Sequence, residues 1–168
     1  MVDEDDARSR LNLTFSSVRV VTSPSDHYLD TDWQTLLLAP VWTCEVVAAA
    51  DKTIDEKERA AFLATLETPP PGVFAAFVFS HVRKHLAEVE AARAKDLRSP
   101  MVGIADAELL LGRYPNADEA HEFRLALIAL AENVATASGG GLFGFGDKLS
   151  EAEANVIAQL RLTFHLPA

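Results

Sequence analysis

Two short runs of acidic residues carry the spacing most suggestive of chemistry. Asp51, Asp55 and Glu58 lie in and after the segment Ala49-Ala50-Asp51-Lys52-Thr53-Ile54-Asp55, and Asp147, Glu151 and Glu153 stand at a matching place near the C-terminus. Loops that enter helices offer carboxylate and carbonyl oxygens together, the donor set a hard divalent cation of the Ca or Mn type prefers. Each run also has a purely structural reading. Asp55-Glu56-Lys57-Glu58 and Ser150-Glu151-Ala152-Glu153 are capping boxes, in which the first side chain accepts a backbone N–H three residues on and the later Glu reaches back. Helix dipoles favour carboxylates there as well. Capping accounts for Asp55, Glu58 and Glu153 but leaves Asp51 and Asp147 without a structural duty, and neither loop follows the twelve-residue EF-hand pattern.

A second acidic pair is Glu45 and Glu132, each inside a strongly apolar segment. A carboxylate buried in a helix is costly unless paired or ligated. The two could share a proton or an ion, or each could sit at the rim of its helix and meet an arginine. His81-Val82-Arg83-Lys84-His85 has the helical H-x3-H spacing that can clip zinc. Arg83 and Lys84 oppose a cation there, no third ligand is evident, and the edge of an amphipathic helix explains the pair. The glycine-rich stretch 139–148 lacks both the Walker ending and the dinucleotide fingerprint. Its two phenylalanines, Phe143 and Phe145, suit either a lip for a partner or a plug between halves. With one cysteine, Cys44, in apolar company and no nucleophile elbow, nucleophilic catalysis has no support, and no catalytic residue is assigned.

Positioning such residues needs a core, and the composition supplies one: 49% hydrophobic and 24% charged over 168 residues. The net charge of -10 repels phosphate backbones, which argues against nucleic acid and is compatible with cations or basic protein partners. The lone Cys44 and the acidic start Met1–Asp6 point to the cytoplasm, with no secretory leader expected. The most apolar run, 36–50, is interrupted by Pro40 and Glu45 and is too short to span a bilayer, so no membrane insertion is expected.

Periodicity predicts an all-α fold of six to seven helices. Residues 1–29 form an irregular extension, with one short candidate strand at 18–22 and a turn at Ser23-Pro24-Ser25-Asp26. A helix starts near Asp30, capped by Thr31 or Asp32, and Pro40 either kinks it or opens a second helix. Further helices are expected from Asp55 to Leu66 and as one long element over 73–95, with Phe74, Val78, Val82, Leu86 and Val89 facing the core. Others follow from Met101 to Leu111, from a cap at Asp118 to Ala137, and from Ser150 onward.

The segment Cys44–Asp51 aligns with Ala131–Ser138, so that Glu45 matches Glu132, and each copy leads through a loop to a capping box. This predicts duplication about a pseudo-twofold, with halves of about 30–95 and 96–168 in one domain. The run Ala49-Ala50-Asp51-Lys52-Thr53-Ile54-Asp55-Glu56-Lys57-Glu58, with its second copy at 134–138 and 149–153, resembles the TerB-like tellurite-resistance family. Lys52 replaces the usual glycine and Ser138 an expected Asp, and the second loop is longer. The resemblance implies an acidic helical module of bacterial tellurite and chemical-stress response, not an enzyme, that binds a divalent cation or assembles with partner proteins. The alternative is a ligand-free interaction or regulatory scaffold.

Overall fold

The structure, a computed structural model, describes residues 23–50, 55–138 and 149–167. The candidate strand at 18–22, Asp51 and Asp147 lie outside the described residues. Among the described residues there are seven α-helices and no strand: α1 Asp30–Ala49, α2 Glu56–Glu67, α3 Val73–Lys84, α4 Leu86–Lys95, α5 Pro100–Leu111, α6 Ala117–Ser138 and α7 Glu151–Thr163.

The centre of the molecule is α1. From Thr35 to Ala48 only Val41 and Glu45 are not buried, so the helix offers almost no polar stripe, and it touches every other helix. Pro40 neither ends α1 nor opens a second helix. Its missing N–H leaves a gap in the ladder, while Thr43 Oγ donates to the Ala39 carbonyl at 2.8 Å within the same turn. The start also differs from expectation. Leu29 holds the cap position without a side-chain bond, and Asp30 and Asp32 lie inside the first turn, where the dipole favours them. The turn at Ser23–Asp26 is the start of a 3-10 turn over Pro24–His27.

The expected long helix over 73–95 is two. Its backbone breaks at His85, with φ -120° and ψ 33°, between α3 and α4. Phe74, Val78 and Val82 seat α3 among α6, α2 and α1, and Val89 with Ala92 packs α4 on α1. Gly72 precedes α3 with φ +129°, a conformation that glycine adopts without strain, directly after the proline run.

On the opposite side α6 buries Phe123, Leu127, Leu130 and Val134 completely, as its periodicity requires. It begins one residue before Asp118, and the capping side chain is Asn116, whose Oδ1 accepts the Glu119 N–H at 3.2 Å. The last helix, α7, seats Ile157, Leu160 and Phe164 in the core. At the centre, Trp42 is fully buried, with Gly103 of α5 beneath its indole. The Arg98 guanidinium lies 4.8 Å from the ring centroid. Asp96 grips the Arg98 guanidinium through both oxygens, and Asp106 accepts from its Nη1 at 3.0 Å. The bonds from Arg98 hold the Asp96 carboxyl below the usual carboxylate range.

Candidate functional site

Both capping boxes form. Asp55 Oδ1 accepts the N–H groups of Lys57 and Glu58 at 2.8 Å, and Glu58 Oε2 accepts the Asp55 N–H at 2.8 Å. Ser150 Oγ accepts the Glu153 N–H at 3.1 Å, and Glu153 Oε2 accepts the Ser150 N–H at 2.7 Å. The two box glutamates are each 1% exposed, so these carboxylates close their helices from inside the fold. Glu151 is exposed in the first turn of α7. Among the described residues no three His, Cys, Asp or Glu side chains gather as metal ligands would.

Glu45 and Glu132 do not pair with each other. Arg93 of α4 donates to Glu45 Oε2 from Nε at 2.9 Å, with Nη2 in ion-pair contact with the same oxygen at 2.8 Å, and Arg161 of α7 donates to Glu132 Oε1 at 2.9 Å. Of the two readings of this pair, the rim arginine is the one that holds. His81 and His85 stack with ring centroids 4.7 Å apart, and His85 Nδ1 stands 3.8 Å from Glu88. Partial burial, followed by the charges of His85 and Lys84, holds the His81 imidazole below its ordinary value.

A half-enclosed cleft of about 440 Å³ lies between α1, α2 and α4. Val41, Cys44 and Glu45 come from α1, Arg59 and Phe62 from α2, and Glu90, Arg93 and Ala94 from α4. Each helix contributes residues three or four apart, which share one face. Phe62 and Cys44 are nearly buried and give an apolar base, while two ion pairs form the walls. The inner one, Glu45 with Arg93, is only 25% and 20% exposed. The outer one, Arg59 to Glu90 at 3.1 Å, bridges α2 and α4 and is 57% and 44% exposed.

Arg93 is held from two sides, since Nη1 donates to the Asp96 carbonyl at 3.0 Å while Nε donates to Glu45 and Nη2 lies beside the same carboxylate. Arg59 has a single bond, through Nη2. The Cys44 thiol beside them is pushed up to about 12, first by burial and then by the charges of Glu58 and Glu45 against an opposing Arg59. A thiol so held is not a nucleophile near neutral pH.

Sequence reasoning identified Glu45 in this cleft and missed Arg59, Glu90 and Arg93. Their pairings cross 31 and 48 positions, so no local motif announces them. The i,i+3 spacings of Arg59 with Phe62 and of Glu90 with Arg93 were readable, but not that the two faces meet. Among the described residues, the repeat does not carry the cleft's charges into its second copy. Counted from the two caps, Phe62 corresponds to buried Ile157, while Arg59 corresponds to Ala154.

Fold and cleft together define an all-α domain closed around one apolar central helix, with a charge-walled cleft beside that helix. The chain belongs to the family of the uncharacterized protein ORF11' of Methanothermobacter thermautotrophicus, with 34% identity over 122 residues, covering 68% of this chain and 79% of the relative. No family model matches the sequence. No solved structure matches it. Among the described residues no helix is long and apolar enough to cross a membrane.

Proposed function

We propose that this protein is a non-enzymatic, acidic helical binding module whose ligand site is the α1/α2/α4 cleft. The observation that carries this reading is the cleft itself: a half-enclosed volume of about 440 Å³ with an apolar base and four convergent charged side chains. That size and mixture are those of small-ligand sites. A non-enzymatic role is supported by the commitments of the candidate groups. The described carboxylates of the boxed turns cap helices, Glu45 holds a guanidinium, and Cys44 keeps its proton. The likeness of the two boxed turns to the TerB-like pattern supports a place in tellurite or chemical-stress response, working in the cytoplasm with other proteins of that system.

The test is a ligand-observed NMR screen of a fragment library against the parent protein and an Ala94→Trp variant, whose indole fills the cleft. Fragments that bind the parent and are lost from the variant are the expected result. Binding undiminished in the variant, or no binding to the parent, overturns the cleft as the site. The stress-response setting has its own test, survival on tellurite of a host lacking the gene. Tolerance equal to that of the parent host removes that setting.

A second reading, a divalent cation at the boxed turns, is favoured by one observation. Glu58 and Glu153 are acidic, repeat-equivalent and buried to the same degree.

A further inference from the structure

We propose that the cleft takes a small organic cation, an ammonium group carried on an apolar chain or ring; this rests on the cleft being the ligand site. Three features of the walls decide the sign of the charge. Arg93 meets Glu45 on Oε2 and Arg59 meets Glu90 on Oε1, so among the described residues the other oxygen of each carboxylate makes no hydrogen bond. Arg93 is held from two sides: it cannot turn toward an anion without releasing Glu45 or the Asp96 carbonyl. Arg59 alone is loosely held, by one bond at the exposed mouth, where solvent screens an ion pair. It can swing into solvent and leave two carboxylates facing a single, committed guanidinium.

The surroundings reinforce that sign. Glu58, 1% exposed, lies close enough to Cys44 to act on its thiol, and together with Glu45 it outweighs Arg59 there. The whole chain carries a net charge of -10, so its long-range field draws cations toward any concavity and repels anions. Val41, Phe62 and Ala94 then supply contact for the apolar part of the ligand. The volume is that of a small-molecule site.

Three probes with one six-carbon chain separate the possibilities: hexylammonium, hexanoate and hexanol. Each is titrated into the isotope-labelled full chain, and shifts of the Cys44, Phe62 and Ala94 amides are followed. Hexylammonium is expected to shift these amides and to bind at least fivefold more tightly than the other two. Glu90→Gln, at an exposed position that does not threaten folding, is expected to erase most of that preference. Glu45→Gln supplies a second reading if it remains folded by circular dichroism. Preferential shifts with hexanoate, or equal binding of hexanol and hexylammonium, leave the cleft as the site and overturn the cation. A preference that survives Glu90→Gln overturns it too. Cleft amides that none of the three probes moves, with Ala94→Trp equally indifferent to fragments, overturn the cleft reading itself.

Discussion

Gly103 and Trp42 meet without room for a methyl group between them: a Cβ at position 103 would stand 2.4 Å from Cε2 of the indole. The contact lets α5 approach α1 closely enough to bury both Trp42 and Ile104 completely. Gly103→Ala must therefore push the helices apart or turn the indole. We expect a loss of about 2 kcal/mol, typical of overpacking, despite the helix propensity that alanine adds. Urea denaturation followed by tryptophan fluorescence measures it, and an unchanged midpoint would show that α5 yields freely.

The first capping box should be separable by substitution. Asp55→Ala removes the acceptor for two N–H groups and should cost about 1 kcal/mol, whereas Asp55→Asn keeps an acceptor and should cost little. Equal losses in the two variants, read from thermal melts, would mean that the charge of Asp55 matters rather than its cap.

Cys44 gives a pH dependence of definite sign. Its folded value, about 12, lies above the ordinary thiol value, so the unfolded chain loses the proton first as pH rises. Stability from this group is complete below about pH 8.5 and falls as pH climbs toward the folded value, with a limiting slope of about 1.4 kcal/mol per unit. Tyrosines and lysines titrate in the same window, so the measurement is the difference between the parent and Cys44→Ala in urea at pH 8 to 10.5. A difference that does not change with pH would place the thiol in a wetter site.

The cation reading predicts that calcium or manganese raises the melting temperature of the parent protein. Asp51→Asn should then abolish that increment without changing the metal-free melt, since a ligand that binds only the folded state stabilises by mass action. A parent protein whose melt neither ion moves has no use for a cation at these turns.

What was legible in the sequence depended on how far apart the cooperating residues lie. Helix faces such as Phe123, Leu127, Leu130 and Val134, and boxes such as Ser150 with Glu153, are written within one or two turns, and the structure has them as read. The break at His85 was not legible. Nothing in Lys84-His85-Leu86 forbids a helix, and no local signal marks the change of direction between α3 and α4. Pro40 left two readings open, a kink or a new helix, and burial on nearly all sides holds α1 as one helix across it. The cleft was hidden for the reason that hid the break. Arg59–Glu90 and Glu45–Arg93 exist only once three helices have met. The reciprocal contacts of a pseudo-twofold, α2 on α6 and α7 on α1, are both present, but the first is far more extensive.

The placement of α1 has a consequence for synthesis at the ribosome. This helix is among the first parts of the domain to emerge, yet the helices that cover it most extensively, α5 and α6, end at Leu111 and Ser138. At roughly 5–20 residues per second, a run such as Leu36-Leu37-Leu38-Ala39 stays without those partners for several seconds. A nascent chain with its most apolar helix bare for that long is a natural client for a holding chaperone, and the wait ends only when α6 leaves the exit tunnel.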